Sequence, residues 1–375
     1  MAAGNQNPYR GKISLSLKLP NREFFYVAMG LLQRYSYFEK RNWNYYILFK
    51  GSYRIFAMNH VFSWKMNEFV QKGSMERRYP MKFLTFEFHG KEQVGVMSQD
   101  GARVLAVSEV LQHDHYTNMN ELIEQITPAE LAIFFDMSQC GKGEGISVSE
   151  IAFRAPIIRP KHDIICVGVN YASHRAETTG TLSASLATQE VPVYFSKRTT
   201  RIVGHNEEIY GFTDLDEELD YEVELAVVIG KKGRNISREQ VEDFIFGYSI
   251  FNDISSRRLQ RGHLQWFKGK SLDTYSVMGP VIVHKSAFAY PPLVVVESRV
   301  NGEVRQHSTT DLLIHDVAKI ISDFSQGITL EPGDIIATGT PSGVGMGFKP
   351  PRFMKKGDVV ECEIAGIGVL RNTIV

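Results

Sequence analysis

The stretch DYEVELAVVIG at residues 220–230 decides how this chain is read. Its Val, Leu and Ile content and its terminal Gly mark a β-strand. Side chains alternate along a strand, so Glu222 and Glu224 point to one face and Tyr221, Val223 and Leu225 to the other, the two acidic residues roughly 6.8 Å apart along the backbone. Both then reach a single cation. Two like charges on a strand otherwise this apolar repel and resist burial, which requires a buried partner of opposite charge. A divalent metal supplies one; a solvated face is the plainer alternative for an isolated pair. A second apolar run, FGYSIFNDISSRRLQ at 246–260, shifts that balance by ending in Asp253 ahead of a polar stretch carrying Arg257 and Gln260. Three acidic oxygen donors without His or Cys suit a hard ion, Mg²⁺ first and Mn²⁺ or Ca²⁺ next, and disfavour zinc. Taken alone, Asp253 is equally a cap for the residues that follow it.

Further candidates lie on either side. In WFKGKSLDTYSVMGP, 266–280, Lys270 is placed to neutralise an enolate beside a metal or, desolvated, to accept protons; the alternative is a surface lysine paired with Asp273. In VGVNYASHRAE, 167–177, His174 and Glu177 stand three apart, so one helical turn faces them the same way and the carboxylate can orient the imidazole for proton transfer or water activation. TTGTLSASLATQEVP, 178–192, is small and polar and reads as a mobile lid. IIATGTPSGVGMG, 335–347, lacks the GK[ST] of a phosphate loop and the context of a dinucleotide site, so Thr338, Thr340 and the nearby amides hold a small carboxylate there or the segment is a plain turn. His113 and His115 read as surface residues.

Over the whole chain, 375 residues with 43% hydrophobic content, 42 Lys plus Arg and 42 Asp plus Glu describe one large globular domain or two modest ones, and exclude a disordered or fibrous protein. The 31 Gly and 14 Pro favour a β-rich fold with many turns. There is no run of about 18 apolar residues and no secretory h-region, so neither a membrane span nor export is expected, and the cytoplasm is the expected compartment. Three dispersed cysteines, Cys140, Cys166 and Cys362, fit a reducing environment. The neutral total hides a split: residues 1–80 hold 13 basic residues against 4 Glu, a net +9, and 17 of the 42 aromatics. This atypical extension reads as a basic nucleic-acid or membrane-surface arm, a small extra subdomain, or a stretch not natively translated. We take the last, since the codons for Glu76, Arg77 and Arg78 can form a ribosome-binding sequence shortly before Met81. Residues 81–155 read as a small α/β leader of short strands and a helical stretch near 119–135, and residues 156–375 as the catalytic domain.

In order, VGVNYASHRAE, DYEVELAVVIG, FNDISSRRLQ, GKSLDTYSVMGP, VNGEVRQ and GDIIATGTPSGVG resemble the fumarylacetoacetate hydrolase superfamily over residues 156–375, and KPPRFMKKGDVVECEI is most similar to its domain-containing protein 2 branch. The resemblance implies an α+β, mainly β fold, a mixed β-sandwich roll, in a homodimer, with Mg²⁺ or a similar ion held by Glu222, Glu224 and Asp253. It implies that Lys270 is the active-site lysine, that His174 and Glu177 are the lid dyad, that Arg257 and Gln260 contact substrate, and that Thr340 contacts a carboxylate. Where fumarylacetoacetate hydrolase has an acidic residue, Asn170 stands here, which implies a metal shell one charge weaker and favours the smaller-substrate branches. The implied chemistry is hydrolysis of a carbon–carbon bond in an acylpyruvate or fumarylpyruvate. The alternative is isomerisation of a 2-hydroxydienoic acid, tautomerisation of oxaloacetate or decarboxylation; a non-catalytic metal-binding scaffold is a third reading. No nucleic-acid or membrane partner is expected.

Overall fold

The structure, a computed structural model, describes residues 80–112, 115–139, 145–178, 190–212 and 214–375. The readings made for residues 1–79, His113, Cys140 and most of the 178–192 stretch lie outside the described residues. The chain divides into the units Met1–Glu76 and Arg77–Val375, and the second carries everything below.

Its strands are β1 (Lys82–Phe88), β2 (Lys91–Met97), β3 (Arg103–Ala106), β4 (Ile146–Ser147), β5 (Ala152–Arg154), β6 (Ile164–Gly168), β7 (Val193–Lys197), β8 (Glu208–Ile209), β9 (Leu219–Asp220), β10 (Val223–Ile229), β11 (Ile245–Asp253), β12 (Ser255–Ser256), β13 (Ser276–His284), β14 (Val295–Val300), β15 (Glu303–Thr309), β16 (Ile335–Ala337), β17 (Val359–Ile364) and β18 (Gly368–Ile374). The helices are α1 (Val107–Leu111), α2 (Met119–Gln125), α3 (Pro128–Gln139), α4 (Ala172–Glu177), α5 (Val241–Phe244), α6 (Arg257–Gly262), α7 (Phe267–Lys270) and α8 (Val317–Phe324). Among the described residues no helix is long and apolar enough to cross a membrane.

The large sheet runs β4-β3-β2-β1-β13-β11-β10-β16-β6-β7, with β5 on β1, and the smaller one β15-β14-β17-β18-β8. Both are mixed, because β16 pairs with β6 and β18 with β8 in parallel. β1 and β2 form a hairpin through His89 and Gly90, both at positive φ (50° and 75°), the left-handed pair that a two-residue turn between right-twisted strands requires. β1 also pairs with β13, so the leader's strands extend the main sheet. The helical stretch expected near 119–135 is two helices. Pro128 has no N–H to continue α2, and Thr127 starts α3 instead: its Oγ1 accepts from the Glu130 N–H at 3.2 Å while Glu130 Oε2 accepts from the Thr127 N–H at 2.8 Å.

β10 explains why its sequence is apolar almost throughout. Val223, Leu225, Val227 and Ile229 join a core with Val296, Val360, Cys362, Ile364 and Leu370 of the smaller sheet. On its other face Ala226 and Val228 pack in a second core with Phe83, Phe246 and Met278, closed over by Leu122 and Phe134 of α2 and α3. A strand covered on both sides reads as continuous hydrophobics rather than as an alternation. The result is an α+β, mainly β fold, a mixed β-sandwich with its helices outside. Among the described residues Cys166 and Cys362 are free and buried.

Candidate active site

The pairing of β10 with β11 assembles the acidic centre. Its register sets Val223 opposite Asn252, the Asp253 N–H donates to the Glu222 carbonyl at 2.8 Å, and the Glu222 N–H donates to Asn252 Oδ1 at 3.0 Å. Asp253, the last residue of β11, therefore lies beside Glu222, and Glu224 follows on the same face. Oxygens of Glu222, Glu224 and Asp253 lie within 4.8 Å of one another, all buried.

The three carboxylates sit in different fields. Burial disfavours the charge on Glu222, but Lys270 Nζ and Arg257 Nη2, each 2.7 Å away, outweigh it and hold this carboxyl well below the usual carboxylate range. Glu224 goes the other way: burial first, then Asp253 and Glu222, push it well above that range, against a hydrogen bond of 2.7 Å from the Gly339 N–H. Asp253 is paired at both oxygens, with Lys197 at Oδ1 and with Lys270 at Oδ2, 2.8 Å away. Burial pulls both ammonium groups down. Two carboxylates reverse this for Lys270, whereas Lys197 has one carboxylate and faces Lys270, so it stays lowered. The partners of Lys270 are thus Glu222 and Asp253 rather than Asp273.

Arg257 and Gln260 share one face of α6, both buried. Arg257 Nε donates to Asp220 Oδ2 at 2.8 Å and Nη1 to Gln260 Oε1 at 3.0 Å. Nη2 forms an ion pair with Glu222 Oε1 at 2.7 Å. Asp220 also accepts the N–H groups of Tyr221, Gly345 and Met346, so it joins the arginine to the glycine-rich loop.

On α4, His174 Nδ1 lies 3.1 Å from Glu177 Oε2, and Glu177 Oε1 accepts from the Gly343 N–H at 2.9 Å. With the Nδ1 proton given to the carboxylate, the neutral ring carries its lone pair on Nε2. The helix follows Val169, a β-branched residue at φ 47°, a strained conformation costing about 1–3 kcal/mol. Asn170 holds it there: its Nδ2 donates to the His315 and Thr338 carbonyls and its Oδ1 accepts from the His315 N–H. The Asn170 amide serves the backbone, not the carboxylate cluster.

Thr340 lines the site's cavity, and its Oγ1 donates to the Val223 carbonyl at 3.0 Å and accepts from Gln306 Nε2 at 2.7 Å.

Of these groups His174, Glu222, Glu224, Arg257, Gln260, Lys270 and Thr340 face one cavity as its polar wall, whereas Lys197, Asp220, Asp253, Asn170 and Glu177 stand behind its wall. Its apolar wall carries Val167, Gly168, Val169, Phe195 and Trp266. Reading the sequence missed Lys197, Asp220, Phe195 and Trp266. Asp220 had a signal, since Asp220, Glu222 and Glu224 form a single row at period two. Lys197 had none.

The glycine-rich loop also limits where Glu177 can sit. A Cβ on Gly347 would lie 1.9 Å from Glu177 Oε1, the free end of a flexible side chain. Gly347→Ala is therefore expected to leave the melting temperature nearly unchanged while displacing Glu177, with kcat falling on the order of 100-fold; steady-state kinetics beside a melting curve checks it.

The cluster fits a hard divalent ion. Glu222, Glu224, Asp253 and Asp220 set four formal negative charges against Lys197, Lys270 and Arg257, and the surplus falls on Glu224, whose charged form has the least support. The donors are all carboxylate oxygen, the set such ions prefer.

A buried carboxylate cluster and a histidine–carboxylate pair meet at one cavity of a mixed β-sandwich, the arrangement of a candidate enzyme site. Residues 163–375 match the family described as fumarylacetoacetate (FAA) hydrolase, C-terminal, and the chain belongs to that family. It is 41% identical over 304 residues to oxaloacetate tautomerase YisK of Bacillus subtilis, covering 78% of this chain and 100% of that one. It is 42% identical over 228 residues to the mitochondrial oxaloacetate tautomerase Fahd2a of Rattus norvegicus, covering 60% and 70%. Among solved structures it is similar to maleylpyruvate hydrolase from Sphingobium sp. SYK-6, in complex with manganese(II) and pyruvate, with TM-score 0.63, 27% identity, and 79% and 99% coverage.

Proposed function

We propose that this chain is a divalent-metal-dependent tautomerase that interconverts the keto and enol forms of a small 2-oxo acid of the oxaloacetate type, with Mg²⁺ as the first choice of ion. One observation carries the reading: a histidine with a free basic nitrogen and a cluster of acidic oxygens share one cavity. The names of the two tautomerases above support it over the C–C hydrolysis expected first from the sequence.

The ion, when held by Glu222, Glu224 and Asp253, supplies Lewis-acid polarisation of the 2-oxo group. The remaining steps belong to the chain. The Arg257 guanidinium, with the Gln260 amide, binds the substrate carboxylate. His174 Nε2 takes a proton from the carbon next to the oxo group: the C–H bond breaks, a C=C bond forms, and the electron pair moves to oxygen. Glu177 stabilises the imidazolium, and Lys270 stands near the negative charge that develops on oxygen. Return of the proton to that oxygen completes the enol, with no water consumed. The homodimer implied by the family resemblance belongs to the same proposal. Hydrolysis of an acylpyruvate is the second reading, favoured by the likeness to the maleylpyruvate hydrolase.

Ultraviolet absorbance separates the two. Chelator-treated protein, assayed with and without added Mg²⁺, is expected to speed the approach of oxaloacetate to keto–enol equilibrium only with the ion, and to release little pyruvate from an acylpyruvate. Pyruvate release outpacing tautomerisation would reverse the assignment.

A further inference from the structure

We propose that Trp266, seated on Gly168 and braced by Phe195, sets the upper size limit of the substrate, so that this cavity admits compact 2-oxo acids and excludes those with a bulky group beyond the oxo carbon. The inference rests on the 2-oxo acid reading above and narrows it.

Gly168 is the last residue of β6, and a Cβ there would lie 2.3 Å from Trp266 Cζ3 and 2.8 Å from Cη2. The indole therefore rests on bare backbone. Phe195, on the neighbouring strand β7, meets the indole edge to face, with ring centroids 5.2 Å apart, and lies under the Lys270 ammonium at 5.2 Å. Trp266 is tied in turn to the catalytic lysine by the Lys270 N–H bond to its carbonyl at 3.1 Å. These contacts leave the indole little freedom to swing away.

The polar wall opposite holds the carboxylate and the oxo group, so whatever the substrate carries beyond them points toward this apolar wall. A rigid aromatic boundary discriminates by excluded volume, and even one methylene in an apolar pocket is worth roughly 10- to 200-fold.

The test uses the full chain loaded with Mg²⁺ and two probes, pyruvate and phenylpyruvate, with dissociation constants measured by calorimetry and melting temperatures recorded for each variant. The parent is expected to prefer pyruvate. Trp266→Leu is expected to raise the affinity for phenylpyruvate relative to pyruvate by at least about 10-fold, while pyruvate alone changes by less than about 3-fold. Gly168→Ala, which drives the indole into the cavity, is expected to weaken both. Trp266→Phe keeps a ring on Gly168 and decides the matter if the leucine variant does not fold, with a smaller change in the same direction. An unchanged ratio in folded Trp266 variants that still bind pyruvate overturns the size limit and leaves the 2-oxo acid reading standing. Absence of Mg²⁺-dependent pyruvate binding in the parent overturns both.

Discussion

Glu224→Gln is expected to abolish metal-dependent turnover, with a loss of at least about 1,000-fold in kcat, while the metal-free protein remains as stable as the parent or becomes more so. The two effects share one cause. Glu224 is buried against two other carboxylates, and its ionised form is strongly disfavoured when no cation is present. An acid whose folded-state pKa is raised contributes most to stability when protonated. The metal-free parent therefore loses stability as pH rises from the ordinary carboxylate range, about 4.3, toward the elevated value in the fold. Glutamine cannot ionise and keeps an oxygen for the Gly339 N–H, so this loss disappears. Melting curves between about pH 5 and 8, with chelator and with Mg²⁺, are expected to show a flatter pH dependence in the variant and no stabilisation by the ion. A variant that melts well below the metal-free parent, or that Mg²⁺ still stabilises fully, would count against the acidic centre as an ion site.

The second large effect is expected from His174→Gln: kcat lower by about 100- to 10,000-fold, with melting temperature and Mg²⁺ stabilisation nearly unchanged. Nδ1 of His174 is bound to Glu177, and Glu177 is held independently by the Gly343 N–H, so the substitution removes the basic nitrogen without releasing its partner. Stopped-flow absorbance for kcat, beside melting curves with and without Mg²⁺, checks both. A variant within a few-fold of the parent would remove the dyad from proton transfer and leave the ion and Lys270 to account for the chemistry.

Much of the site was legible because its geometry is local. Alternation along residues 220–224 placed Glu222 and Glu224 together, and the same period would have included Asp220, although in the fold Glu222 lies just ahead of β10 and Asp220 on β9. The spacing of three on a helical turn did the same for His174 with Glu177. These relations hold wherever a backbone repeats regularly, so the sequence alone determined which acidic and imidazole groups could act together, and that their strands sit in an apolar, β-rich core.

Only the tertiary structure decided their partners. Lys197 meets Asp253 across 56 residues and Lys270 meets Glu222 across 48. The amides of Gly339 and Gly343 reach Glu224 and Glu177 across 115 and 166. Nothing in the spacing of those residues announces the contacts, and Thr340 shows the consequence, its hydroxyl turned to the Val223 carbonyl by Gln306 from the other sheet. A side chain's face follows from local backbone repetition, whereas the charge and hydrogen-bond environment that sets its chemistry depends on which distant segments return to the same point.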